Sequence, residues 1–96
     1  MKKIIIINGN NFTDIESFYD EIDRVLTKDL DWKTGHNLDA FNDLLRGGFG
    51  VYDYEDPVKL IWTNFLDSRN YLGQTFIDRL VEIINYHDHI EFATTD

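Results

Sequence analysis

The stretch KIIIINGN, at residues 3–10, decides the fold. Four consecutive isoleucines follow Lys3, and β-branched residues of this kind favour an extended strand. No polar residue alternates with them, which is typical of a strand that is buried on both faces. Asn8 and Gly9 end the run, because both residue types are frequent in turns. We therefore predict a fully buried first strand at residues 3–7.

A helical pattern follows this strand. Thr13 and Glu16 have the spacing of a capping box, in which each side chain satisfies a backbone N–H at the start of a helix. Apolar residues then recur at helical spacing, which predicts an amphipathic first helix that runs to about residue 30. These apolar residues are Ile15, Phe18, Ile22, Val25 and Leu26.

The rest of the chain alternates helices and strands. A second helix is predicted at residues 37–46, and Gly47 is placed to end it. Strands are predicted at residues 58–62 and 90–94, with a short helix at 64–72 and a longer one at 74–87 between them. Long helical connections imply parallel strands. The predicted fold is α/β, a three-stranded parallel sheet packed with about four helices in a single domain over residues 1–96.

The charge balance restricts the classes of partner. The sequence has 18 acidic and 9 basic residues, for a net charge of −9. Nucleic acids and anionic lipids bind basic surfaces, so we expect neither to be a direct ligand. The charge fits solubility alone, and it also fits a basic partner.

The absence of cysteine excludes disulfides and thiolate zinc sites and is compatible with a reducing compartment. The short apolar run after Met1 is a poor signal peptide, and no stretch is long enough to span a membrane. We expect a cytoplasmic protein that does not bind membranes and is monomeric when free.

Enzyme motifs are not evident. Asn8-Gly9-Asn10 lies between a strand and a helix, as a phosphate loop does, but has one glycine and no following Lys-Ser or Lys-Thr pair. His87-Asp88-His89 has the spacing of a chelating pair, but third and fourth metal ligands are not evident. The sequence therefore predicts a non-catalytic protein with no cofactor and no metal.

The segment NLDAFND, at residues 37–43, is the most informative for function. Asp39 and Asp43 are one helical turn apart on the same face, where like charges cost ~0.2–0.5 kcal/mol. Helix stability therefore does not explain the pair, although a plain solvated face also fits it. The face lies between two glycine-containing loops that carry Trp32 and Phe49, a setting typical of an interface.

The longer segment GHNLDAFNDLL, at residues 35–45, closely resembles the signature of the barstar family of ribonuclease inhibitors. Further landmarks look similar, so the resemblance covers nearly the whole chain. They are Lys2-Lys3, Ile7-Asn8-Gly9, Pro57, Trp62, Phe65 and Ser68. The resemblance implies a three-stranded parallel sheet with helices, and a protein that plugs the active site of a small secreted or toxin-type ribonuclease.

The resemblance also implies a set of partner-binding residues. Those that the motif itself supplies, on the second helix and the loop before it, are Gly35, Asn37, Asp39 and Asp43. Asp43 is implied to take the place of a substrate phosphate, and Asp39 to meet the basic rim of the nuclease cleft. Counted back from the last strand, Glu82 falls at a further acidic contact. The remaining members of the predicted set, which neighbour these residues, are Trp32, Lys33, Asn42 and Arg46.

The sequence departs from the family's founder at some of these positions. Lys33-Thr34 stand where the founder has an aromatic pair, and Asn42 stands where it has a tryptophan. The loop at residues 47–56 is longer here. The founder is cis at the matching proline, so the Asp56–Pro57 bond is a candidate for a cis peptide.

The predicted function is an inhibitor, or immunity protein, that occludes the active site of a basic small ribonuclease or ribonuclease toxin. One alternative is an acidic interaction module of the same fold that binds or regulates another basic protein. A weaker alternative is a metal-assisted hydrolase that uses Asp39, Asp43, Glu82 and a histidine.

Overall fold

A computed structural model describes residues 3–27, 34–47, 53 and 56–96. Its strands are β1 (Lys3–Asn8), β2 (Val58–Thr63) and β3 (Ile90–Thr94). They form one sheet in the order β1-β2-β3, and both neighbouring pairs are parallel. Ile5 pairs with Leu60, and Leu60 pairs with Phe92 across the sheet. The predicted parallel sheet is therefore confirmed.

Four α-helices connect the strands within the described ranges. They are α1 (Ile15–Leu26), α2 (Leu38–Arg46), α3 (Phe65–Leu72) and α4 (Gln74–Tyr86). A single 3₁₀ turn, Gly9–Asn11, leads from β1 toward α1. These bounds agree with the prediction to within a few residues, and Gly47 ends α2 with a positive φ of 95° as expected.

The predicted start of α1 is wrong. Asp14, not Thr13, caps the helix, and its carboxylate accepts a hydrogen bond from the Ser17 backbone N–H at 2.8 Å. The Ser17 hydroxyl accepts in return from the backbone N–H of Asp14, which completes the capping box one residue later than predicted. Ile15, the first residue of the predicted apolar stripe, is 41% exposed. This helix ends at Leu26 with Thr27 as its C-cap, so the predicted end near residue 30 is wrong; residues 28–30 themselves lie outside the described residues.

The core lies on one face of the sheet, around a fully buried Trp62. The Phe18 ring of α1 stacks on the Trp62 ring at 5.6 Å, and Phe65 meets its edge at 5.2 Å. The indole N–H donates to the Ser68 hydroxyl at 2.9 Å, which satisfies the one polar group of this side chain. This aromatic centre joins β2 to α1 and α3.

The opposite face of the sheet is open, so the prediction that β1 is buried on both faces is wrong. Ile4 is 58% exposed and Ile6 is 48% exposed, whereas Ile5 and Ile7 face the core. The continuous run of isoleucine was misleading because it does not tell whether a second layer of helices exists. Here the helices cover only one face.

Two local features fix the end of β1. A Cβ atom added to Gly9 would lie 2.3 Å from the carbonyl oxygen of Thr63, so the 3₁₀ turn packs against the end of β2 only with glycine there. The buried Glu21 carboxylate accepts from the Asn8 backbone N–H at 2.8 Å and pairs with both Arg24 Nε, at 2.7 Å, and Nη2, at 2.8 Å.

The Asp56–Pro57 bond is trans, because the described residues contain no cis peptide. The candidate cis bond that the resemblance suggested is therefore contradicted at this position.

Candidate functional site

Helix α2 begins at a strong cap. The Asn37 side-chain oxygen accepts from the Ala40 backbone N–H at 2.8 Å, and its amide donates to the Thr34 carbonyl at 3.0 Å. Asn37 lies at the predicted site and has this local role in addition to any contact with a partner. The cap fixes where the helix starts and therefore which residues face outward.

The two faces of α2 differ sharply. Phe41, Leu44 and Leu45 are buried in the core, whereas Asp39 and Asp43 are exposed on the opposite side. Both carboxylates therefore lie in solvent, on a helix whose opposite face packs against the core. We call Asp39 and Asp43 the acidic face of α2.

A groove of about 660 Å³ runs between α2 and α4, beside the acidic face. Its walls combine acidic, basic, amide and apolar side chains, namely Leu38, Asp39, Asn42, Arg79, Glu82, Ile83, Asn85 and Tyr86. Glu82 Oε1 lies 3.5 Å from Arg79 Nη1 in an exposed ion pair, and such a pair adds little to the free energy of unfolding. The groove brings together three of the predicted partner-binding residues, which come from two helices.

Two histidines fasten α2 to the end of α4 and the start of β3. His87 Nε2 is 2.7 Å from the Asn42 side-chain oxygen, and His89 Nε2 is 2.9 Å from the Leu45 carbonyl oxygen. The His-x-His spacing, considered above as a chelating pair, therefore serves hydrogen bonds to α2. Asn42 is half-buried and contributes to this attachment as well as to the groove.

A second cluster of ionisable groups lies where α1 meets the segment before α2, which comprises residues 34–37. Polar side-chain atoms of Asp20, Asp23 and His36 all lie within 4.8 Å of one another in the described ranges, and we do not assign them to a metal site because Thr34 already occupies the Asp23 carboxylate. Asp23 is buried and accepts from the Thr34 backbone N–H at 2.8 Å and from its hydroxyl at 3.3 Å. Its carboxylate already serves to attach this segment to α1.

The family model for Barstar, the barnase inhibitor, matches residues 2–92. The chain belongs to the barstar family. Comparison with curated proteins gives no significant match. The barstar family is an inhibitor family rather than an enzyme family, and membership implies binding to a ribonuclease. No helix in the described part of the chain is both long and apolar enough to cross a membrane.

The structure places most, but not all, of the residues that the barstar resemblance singled out. Trp32 and Lys33 lie outside the described residues, and so does Phe49, which the sequence places in the loop after α2. Gly35 is exposed in the segment before α2, and Arg46 is half-buried in the last turn of α2. Neither Arg46 nor Asp43 lines the groove.

Five of the eight described residues that line the groove were not predicted to bind a partner, namely Leu38, Arg79, Ile83, Asn85 and Tyr86. Arg79 and Tyr86 line the groove, and the Tyr86 side chain is 74% exposed. Arg79, Glu82 and Tyr86 have the i, i+3, i+7 spacing that places residues on one face of a helix, and this spacing is the sequence signal for Arg79 and Tyr86. His36, a variable position in the family signature, contacts α1 through its side chain, and no motif indicated this.

Proposed function

We propose that this barstar-family protein inhibits a small basic ribonuclease by inserting the acidic face of α2 into the active-site cleft, with Glu82 as a flanking contact. The observation that carries the proposal is the exposure of Asp39 and Asp43 on a helix whose opposite face is buried. A ribonuclease cleft concentrates cationic groups that hold an anionic backbone and its transition state. A helix-borne carboxylate is a suitable substitute for a phosphate because it accepts several charge-assisted hydrogen bonds.

Rigidity supports this assignment. The Asn37 cap, the buried leucines and the histidine contacts to Asn42 and Leu45 hold α2 before any partner binds. A binding surface that is already ordered loses little conformational entropy on association. The two carboxylates can therefore use their attraction to the cleft for affinity rather than for ordering the helix.

The overall charge supports fast association. A protein with a net charge of −9 attracts a basic nuclease over a distance comparable to the Debye length. Charge complementarity of this kind raises the association rate more than it raises the equilibrium affinity.

The test is inhibition of RNA cleavage by a small, basic, barnase-type ribonuclease, with the purified protein added in increasing amounts. We expect activity to fall to zero at one inhibitor per enzyme, and amide NMR shifts to change first on α2 and beside Glu82. Full nuclease activity at a large excess of the protein, with no complex by size-exclusion chromatography, would contradict the proposal. Binding without loss of cleavage would instead favour an interaction module.

A further inference from the structure

The backbone just before α2 adopts a conformation that side chains disfavour. Gly35 has φ 62° and His36 has φ 58°, so two consecutive residues are left-handed. Glycine adopts this region freely, but an L-residue such as histidine does so at a free-energy cost. The Thr34 hydroxyl accepts a hydrogen bond from the His36 backbone N–H at 3.2 Å, and the other interactions that offset this cost are those of the His36 side chain.

Those interactions all go to α1. The imidazole Nδ1 is hydrogen-bonded to the Glu16 carboxylate, and Nε2 lies 3.4 Å from Asp20 Oδ1. The ring also stacks on Tyr19, with centroids 5.3 Å apart and planes 17° from parallel. We call the contacts of His36 with Glu16 and Asp20 the His36 bridge.

In the described part of the chain, further ionisable groups lie around the His36 bridge. Asp23 and Arg24 line the same surface recess as Asp20 and His36. Arg24 donates two hydrogen bonds to Glu21, and Asp23 accepts from Thr34. The Tyr19 phenol has a raised pKa, because burial disfavours its ionised form, and remains neutral over the range that matters here. The charged groups that face the imidazole are thus mainly carboxylates.

We propose that His36, in its cationic form, is a positioning residue that fastens the segment ahead of α2 to α1, so that ribonuclease binding weakens as the imidazole loses its proton. The clause on binding rests on the proposed inhibitor function, whereas the fastening itself does not. Only imidazolium carries a donor on both ring nitrogens. A neutral ring can donate to Glu16 or to Asp20 but not to both, so the bridge is halved when the proton leaves.

The direction of the pH effect follows from the bridge. The hydrogen bond with Glu16 is the main cause that raises the pKa of His36 above 6.5. The negative charge of Glu16, and the hydrogen bond and negative charge of Asp20, raise this pKa further. A group whose pKa is raised in the folded state contributes stability that is complete below its unfolded value and lost as pH rises through its folded value. The contribution is therefore complete below about 6.5 and is lost as pH rises through the higher pKa of His36 in the folded protein.

The first experiment uses the free protein. We expect the NMR titration of His36 to give a pKa above that of an unperturbed histidine, and Glu16→Gln to move it back toward that value. We then measure the protection of the backbone amides of residues 34–38 against hydrogen exchange, as the ratio of the wild-type value to the His36→Asn value at the same pH. This protection ratio should fall as pH rises. Asparagine is the matched substitution because it tolerates the left-handed backbone but carries no charge. An unperturbed His36 titration, or a protection ratio that does not change with pH, would overturn the proposal.

The second experiment measures the dissociation constant of each protein with one ribonuclease from about pH 5.5 to pH 8.5, a range that spans histidine titration. The ratio of the two constants cancels the titration of the nuclease itself. We expect the wild type to bind more tightly than His36→Asn at low pH and this advantage to vanish at high pH. A constant ratio would overturn the link to binding. If the wild type does not bind the nuclease, the proposed function fails while the free-protein experiment still decides the fastening.

Discussion

Replacing Asp43 with alanine separates the stability of this protein from its binding. Asp43 is exposed on α2 and does not line the groove between α2 and α4, and the neighbouring Leu44 faces the core instead. Alanine also has a higher helix propensity than aspartate. The change removes the repulsion from Asp39 one turn earlier, which is worth ~0.2–0.5 kcal/mol. The free energy of unfolding should therefore stay the same or rise slightly.

The effect on the complex should be much larger. Removing the carboxylate leaves cationic groups of the nuclease buried without their anion. The expected loss is ~2–5 kcal/mol, a range typical of buried charge pairs at such interfaces, the barnase–barstar complex among them. This corresponds to a dissociation constant that is about 30-fold to several thousand-fold higher, and the change should appear mainly in the dissociation rate. Asp39→Ala should rank second, and Glu82→Ala third because Glu82 is on another helix and already has Arg79 beside it.

The assay combines urea unfolding with an inhibition constant for each variant. Asp67→Ala is the matched control, because Asp67 is an exposed acid in the first turn of α3 and the change removes the same charge from a different helix. The control should alter inhibition by less than about threefold, through long-range charge alone. If Asp43→Ala inhibits as well as the control, or loses inhibition only by unfolding, the assignment of the acidic face is wrong.

Three further predictions concern stability and rate. Glu21→Gln should lower the free energy of unfolding by ~1–3 kcal/mol at neutral pH in urea titrations. Burial opposes ionisation of Glu21, but its hydrogen bonds, led by that from Arg24, outweigh burial and lower the pKa of Glu21 below 4.5. The loss of stability should therefore shrink as pH falls through the lowered pKa of Glu21, and a loss that does not change with pH would contradict the argument. Ser68→Ala should cost ~1–3 kcal/mol in the same titrations, because the buried Trp62 indole N–H loses its acceptor, and a loss close to zero would refute this. The association rate with a basic ribonuclease should fall steeply with added salt in stopped-flow experiments, and a rate independent of salt would show that the acidic charge serves solubility only.

Much of the fold could be predicted because local signals agreed with one another. The β-branched runs and the helical apolar stripes gave the order of the elements, and the long connections gave the parallel strands. The stop of α2 at Gly47 was predicted correctly because the signal for a helix end lies in the few residues next to it, whereas Asn37 was predicted to lie in the helix and is its cap instead.

The errors arose where local and tertiary signals differ. Thr13 with Glu16 and Asp14 with Ser17 are both plausible capping pairs, and nothing in the local sequence tells which register packs Phe18 against Trp62. The open face of the sheet was missed for a similar reason. A run of isoleucines reports that a strand is apolar, but the number of helical layers that cover it is a property of the whole fold.

The candidate site was accessible to sequence reasoning only in part. The spacing of Asp39 and Asp43 predicts a shared exposed face, and the structure confirms that both side chains are exposed. The groove between α2 and α4 could not be predicted from either helix alone, because Asn42 and Glu82 are 40 positions apart and meet only through packing. The side-chain contacts of His36 with α1 likewise depend on an unusual backbone turn that no motif specifies.

The construction of α2 explains how the chain tolerates two like charges on so short a helix. A helix of nine residues is marginal in water by itself, and Asp is a mediocre helix former. Its stability must come from outside the helix, and the structure supplies this through the Asn37 cap and the burial of Phe41. The contact between His87 and Asn42 adds a further attachment from the other side of the fold. Because the neighbours hold the helix, its position does not depend on attraction between the two exposed carboxylates and other groups of the chain, and their charges can serve a partner instead.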